Sequence, residues 1–153
     1  MFVFDTSAFI NGSRHHYFLD TMAGVWTLVE AAIDDGRVVV PREVYRELLA
    51  QDDEITTLVR RHEHVIAEPT EGVQRRAGVF QQMFPKPGLR DLADPFVMAE
   101  AETRGFAVVT YEGITFAGER AKKADDKLPA LCGQVGVRCC TLAQALRDLG
   151  LSL

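Results

Sequence analysis

The chain reads as an α/β protein: a three-layer α/β/α single domain around a central, mainly parallel sheet of about five strands. Three observations predict this. Apolar runs of strand length recur at residues 1–4, 37–40, 64–67, 106–110 and 137–140. Between them lie segments whose apolar residues fall at helical spacing, and such alternation marks parallel strands joined by crossover helices. The runs are also continuously apolar, as strands covered on both faces must be.

Taken in order, Met1-Phe-Val-Phe4 opens the chain as the first strand, and Thr6 and Ser7 can cap the helix that follows. Residues 12–17, Gly-Ser-Arg-His-His-Tyr, are polar and irregular. Residues 21–34 form a helix with Val25, Leu28, Val29, Ala32 and Ile33 on one face, Trp26 in the core and Gly36 past the end. Pro41 stops the second strand and enters the first turn of a helix that buries Val44, Leu48 and Leu49. Glu43 and Glu47 lie one turn apart on it. Asp52 and Asp53 open a further helical piece with Ile55, Leu58 and Val59, before the third strand at 64–67. Thr70 caps a helix carrying Val73, Ala77, Phe80 and Phe84, which Pro85 and Pro87 end. Asp94 caps the next, with Pro95 in its first turn and Gly105 closing it. The fourth strand, a loop at 111–127, a short helix at 129–134, the fifth strand and a last helix capped by Thr141 complete the chain.

With 153 residues the chain makes one domain, residues 1–153, able to bury about two thirds of its unfolded surface. Its 47% hydrophobic and 25% charged residues are an ordinary soluble composition. No basic leader precedes Phe2, and no apolar run nears the roughly 20 residues that span a bilayer, so a cytoplasmic protein without membrane contact is expected. The three cysteines, two of them the adjacent Cys139 and Cys140, suit reduced core thiols. Asn11-Gly12-Ser13 fits a glycosylation sequon, which carries no meaning without secretion. A net charge of −5 excludes a broad basic face for nucleic acid. Any such contact must rest on local basic patches, bound metal or a partner.

Acidic residues gather where a parallel sheet binds ligands. The carboxyl ends of its strands share one edge, and crevices there take substrates. Asp5 follows strand one, Glu47 lies in the helix after strand two, Asp94 heads the helix before strand four, and Glu112 follows that strand. Converging carboxylates repel one another unless a cation neutralises them. An oxygen-only set without Cys or His spacing favours Mg²⁺ or Mn²⁺ over Zn²⁺. Such ions activate water and stabilise the charge of a phosphodiester displacement. Singly, each acid has a plainer explanation: Asp5 and Asp94 as helix caps, Glu43 and Glu47 as a solvated helix face, Glu112 as a loop acid.

Four stretches, Phe4-Asp5-Thr6-Ser7, Val40-Pro41-Arg-Glu-Val44-Tyr-Arg-Glu47-Leu48, Asp94-Pro-Phe-Val-Met-Ala-Glu-Ala101 and Ala107-Val-Val-Thr110-Tyr-Glu112, resemble in order and spacing the PIN-domain ribonucleases. The resemblance spans nearly the whole chain and is nearest to a little-characterised PIN-like subgroup. It implies metal-binding acids at Asp5, Glu47 and Asp94, supporting hydroxyls at Ser7 and Thr110, and Mg²⁺ or Mn²⁺ as cofactor. The family's fourth acid is usually Asp in a Thr-x-Asp pattern; here it is Glu112, with Asp91, one turn before Asp94, as a possible substitute. Many single-domain relatives are the VapC-like toxins of toxin–antitoxin pairs. The resemblance therefore implies an endoribonuclease leaving a 3′-hydroxyl and a 5′-phosphate, an RNA substrate, a cognate antitoxin over the acidic cleft and a homodimer.

Lys122, Lys123 and Lys127 are the best candidates for RNA phosphate contacts, with Arg60-Arg61 and Arg75-Arg76 behind them. His62 and His64 flank Glu63 in a pattern more often structural than metal-binding. A receiver-type phosphorelay domain would need an Asp at the end of strand three, where Glu68-Pro69 stands. Asp5-Thr6-Ser7 lacks the second Asp of an Asp-x-Asp phosphohydrolase, and no Gly-rich phosphate loop occurs. The remaining rivals are a PIN-like RNA- or protein-binding module without strong catalysis, and a structure-specific DNA nuclease on the same fold.

Overall fold

A computed structural model describes residues 1–84, 93–111 and 128–151. Strand β1, Phe2–Phe4, has all three residues buried, although successive side chains of a strand point to opposite faces. It is therefore covered on both sides, which makes the sheet the middle layer. β2 (Val38–Val39), β3 (Ala107–Val109) and β4 (Cys139–Cys140) complete a four-stranded sheet in the order β2-β1-β3-β4. Every pairing is parallel, with Phe2 opposite both Val38 and Ala107, and Val108 opposite Cys139.

The third strand, expected at 64–67, does not form. Glu63–Val65 is a 3₁₀ turn, and only Ala67 pairs, with Pro41, through Ala67 N–H to Val40 O and Arg42 N–H to Ala67 O, both 2.9 Å. Proline has no N–H with which to extend the ladder. Val65 is 38% exposed, so this run lacks the second buried face of an inner strand.

Among the described residues the α-helices are α1 (Thr6–Asn11), α2 (Ala23–Asp34), α3 (Arg42–Gln51), α4 (Glu54–Arg60), α5 (Glu71–Gln81), α6 (Asp94–Arg104), α7 (Leu128–Val135) and α8 (Leu142–Asp148). Residues expected to be irregular after α1 instead continue it as a π-helical turn, Gly12–His16. Its polar composition hid it, because Gly12 is its one buried residue. A Cβ on Gly12 would lie 2.7 Å from Leu142 Cδ2 and 3.4 Å from Trp26, so glycine lets α1 approach α2 and α8 closely. The largest core side chains, Phe4, Phe9, Trp26, Tyr45 and Phe80, lie within one contiguous cluster, with Phe4 and Phe9 ring centroids 5.3 Å apart. On α3 the expected core contact Leu49 is 37% exposed and Tyr45 is buried in addition to Val44 and Leu48. No helix among the described residues is long and apolar enough to cross a membrane.

Candidate active site

The strand order fixes where a site belongs. From β1 the chain goes outward to β2, then returns to place β3 on the other side of β1. The direction of winding reverses between β1 and β3, and ligands of open α/β sheets bind beyond the carboxyl ends of the strands at such a reversal. Asp5 ends β1 and Thr110 ends β3, so both stand at this point.

Asp5 is 2% exposed and is itself the N-cap of α1, with Oδ1 accepting from Thr6 N–H at 2.7 Å. Thr6 and Ser7, expected as caps, lie in the first helical turn instead, because the carboxylate reaches the first amide before their hydroxyls do. Its Oδ2 accepts from Ser7 Oγ at 2.8 Å and from Thr110 Oγ1 at 2.9 Å. Ser7 Oγ in turn accepts from Tyr111 N–H at 2.9 Å. Two hydroxyls 103 positions apart in the sequence thus aim one carboxylate.

Glu47 joins the remaining pieces. Its Oε2 accepts from Thr6 Oγ1 at 2.5 Å, beside Asp5, and its Oε1 accepts from Ala93 N–H at 3.1 Å, beside Asp94. The placement of Glu47, two turns into its helix, follows from α1 packing against α3. Asp94 is not a cap: it is the first residue of α6, behind Ala93, and is 2% exposed. Glu47 takes the amide of the N-cap residue Ala93 itself, the place that an N3 side chain fills in a capping box. The buried Cys132 thiol is pushed up in pKa, first by its hydrogen bond with Cys139 and then by burial. None of the three cysteines is in a disulfide. Thr6, 7% exposed, is the site residue that sequence reasoning missed; its hydroxyl is the one on the α3 side.

Asp91, Glu112, Lys122, Lys123 and Lys127 lie outside the described residues. Of the other basic candidates, Arg61 pairs with Glu30 at 2.6 Å, Arg76 with Glu102 at 2.7 Å and Arg60 with Asp52 at 3.5 Å. His62 bridges Glu30 and Asp34 on α2 at 2.7 and 2.6 Å, which is a structural tie. Glu43, one turn before Glu47, is pushed up in pKa by burial, with Oε2 buried and without a hydrogen bond among the described residues. Tyr111 packs its ring against His16, with its hydroxyl 3.1 Å from Nδ1, and burial pushes its pKa up to about 12. Among the described residues no three His, Cys, Asp or Glu side chains form a ready cage for a metal ion.

Fold and site define an α/β protein with buried carboxylates at the winding reversal of a parallel sheet. The chain belongs to the family described as Domain of unknown function (DUF4411), which it matches over residues 2–153. No curated protein matches it significantly.

Proposed function

We propose that the chain is a PIN-like, Mg²⁺- or Mn²⁺-dependent endoribonuclease, the toxin of a toxin–antitoxin pair. The observation that carries this reading is that Thr6 bonds both Asp5, at the end of β1, and Glu47, while Glu47 also accepts from the amide of Ala93, the residue before the buried Asp94. A donor set made wholly of oxygens suits a hard cation. Mg²⁺ keeps several waters and takes one or two protein carboxylates together with substrate phosphate oxygens, so a three-acid cage is not required of the protein alone. Asp5, Asp94 and Glu47 would hold the ion, with Glu112 as the fourth acid by its position after Thr110. When bound, the ion supplies an activated water and neutralises charge on the phosphodiester.

The chain's own residues set the geometry. Ser7 and Thr110 fix the direction of Asp5, and Thr6 and the Ala93 amide fix that of Glu47. Partners that orient a ligating carboxylate in this way raise its effectiveness without touching the ion. An antitoxin laid over the acidic cleft and a homodimer belong to the same reading, as the resemblance to VapC-like proteins implies. The test is cleavage of a panel of structured RNAs and of flap DNA with Mg²⁺ and Mn²⁺, wild type beside Asp5→Asn and Asp94→Asn. RNA product that needs the metal and vanishes in both variants is the expected result. Flap-DNA product alone would make it a DNA nuclease, and binding without any product would leave a binding module.

A further inference from the structure

The way α7 ends brings two cysteines together. Gly136 takes the left-handed conformation, with φ +75°, and its N–H reaches Gly133 O at 3.5 Å, while the Val137 N–H reaches Cys132 O at 2.9 Å. This pair of bonds is a Schellman motif, which turns the chain back beside the last helical turn, where Cys132 stands. The chain then enters β4: Arg138 O takes the Val108 N–H at 2.8 Å, and Cys139 pairs with Val108. Alternation along the strand sends Cys139 and Cys140 to opposite faces, and α7 packs against β4. The thiols of Cys132 and Cys139 meet in a hydrogen bond.

We propose that Cys132 and Cys139 form a redox-modification site, in which a hydroperoxide oxidises Cys139 and Cys132 closes the product to a reversible disulfide between α7 and β4. Nothing in it depends on the nuclease reading. Exposure assigns the two roles: Cys132 is fully buried and out of an oxidant's reach, whereas Cys139 is half-buried. The hydrogen bond with Cys139, then burial, then the charge of Cys139 push the Cys132 thiol up, so Cys139 is the sulfur of the pair that ionises first. A reachable thiolate beside a resolving thiol is the arrangement of redox-sensing cysteines. Cys140 is pushed up to about 11, chiefly by burial, which keeps it a thiol. The Cys139 sulfur attacks one peroxide oxygen, the O–O bond breaks, and the departing hydroxide takes up the proton that Cys139 gave up. The Cys132 sulfur then attacks the sulfenic acid on Cys139; the S–O bond breaks, and the hydroxide leaves with the Cys132 proton as a second water. Two thiols are oxidised and one peroxide is reduced. In a reducing milieu a bond of this kind is transient and serves as a sensor. It fastens α7 to the strand that flanks the site, since Cys140 O takes the Thr110 N–H at 3.3 Å.

The test treats the reduced full chain with equimolar hydrogen peroxide, blocks the remaining thiols with N-ethylmaleimide and maps the non-reduced tryptic peptides by mass. Trypsin separates the pair, because Arg138 lies between Cys132 and Cys139. The expected product joins the Cys132 peptide to the Cys139–Cys140 peptide, is lighter than its reduced parts by two hydrogen atoms, carries one blocked thiol and reverts with dithiothreitol. Cys140→Ser keeps the cross-link. Cys139→Ser, checked for folding by its urea midpoint, loses it. Cys132→Ala leaves Cys139 as a sulfenic acid that dimedone traps. Closing so small a ring should also raise the thermal midpoint of the wild type by about 5 °C, a gain that dithiothreitol removes. A cross-link that requires Cys140, a Cys139 that stays reduced while the peroxide persists, or a cross-link that forms only in denatured chain overturns the proposal. The Cys139→Ser result carries the test even if Cys132→Ala, a change in the core, does not fold.

Discussion

Asp5 and Glu30 are both carboxylates held by several hydrogen bonds, and the donors around them differ. The contacts that fix Asp5 come from an amide and two hydroxyls. Glu30 receives Arg61 at 2.6 Å and His62 at 2.7 Å, with Asp34 on the other imidazole nitrogen. A hydroxyl or amide sets a carboxylate's direction and leaves its formal charge uncancelled, whereas a guanidinium or imidazolium does both. Burial alone would push the Glu30 pKa up, but the hydrogen bonds from Arg61 and His62 outweigh it and hold the carboxyl below its usual range. The same residue types therefore serve two ends: on α2 they tie a helix to the turn after α4, and at the sheet edge hydroxyls and an amide set the direction of Asp5.

Neutralising one member of each cluster separates these roles. Asp5→Asn keeps the cap, since Asn and Asp cap helices equally well, so the unfolding midpoint should hardly move. Metal-dependent cleavage should fall by more than about a hundredfold, beyond the loss that follows removal of an outer partner. His62→Gln should do the reverse, leaving cleavage within about twofold and costing about 1.5–3 kcal/mol of stability by urea unfolding, the worth of hydrogen bonds to charged groups. If Asp5→Asn destabilised the fold as much as His62→Gln does, the distinction between the clusters would be lost. A smaller effect is expected at the supporting hydroxyls: Ser7→Ala and Thr110→Val should each lower activity about 10- to 100-fold, with metal affinity by calorimetry falling alongside.

Much of this was legible in the sequence for identifiable reasons. Asp5 and Thr110 end continuous apolar runs, and a buried parallel strand announces its own carboxyl end. Asp94 was placed by the proline after it, although its role was misread, because a cap and a first-turn acid look alike until the partner of the preceding amide is known. That partner is Glu47, and nothing local to α3 records it. Thr6 was invisible for the same reason: its hydroxyl bonds to a residue 41 positions away. The strand at 64–67 failed because apolar character alone does not supply the N–H groups a ladder needs, and Pro41 withholds one. The π turn at Gly12–His16 failed because its packing rests on a residue without a side chain.

The least of the expected effects, and the one that isolates the α2 cluster, is its pH dependence. Burial alone would lower the pKa of His62, but hydrogen bonds to Glu30 and Asp34 raise it above the ordinary imidazole value of 6.5. A group whose folded pKa is raised stabilises the fold fully below its unfolded pKa and loses that contribution as pH rises through the folded value. Glu30, with a lowered pKa, contributes above 4.5 and loses its share as pH falls through the depressed value. The tie is therefore strongest between about 4.5 and 6.5 and weakens on both sides of that window. Urea midpoints of wild type and His62→Gln, compared at pH 5.5 and again well above neutrality, should differ more at the lower pH and draw together at the higher. A gap that widened as pH rose would mean that His62 is held neutral, with the two carboxylates repelling each other across it, and the contrast with Asp5 would have to rest on position in the sheet alone.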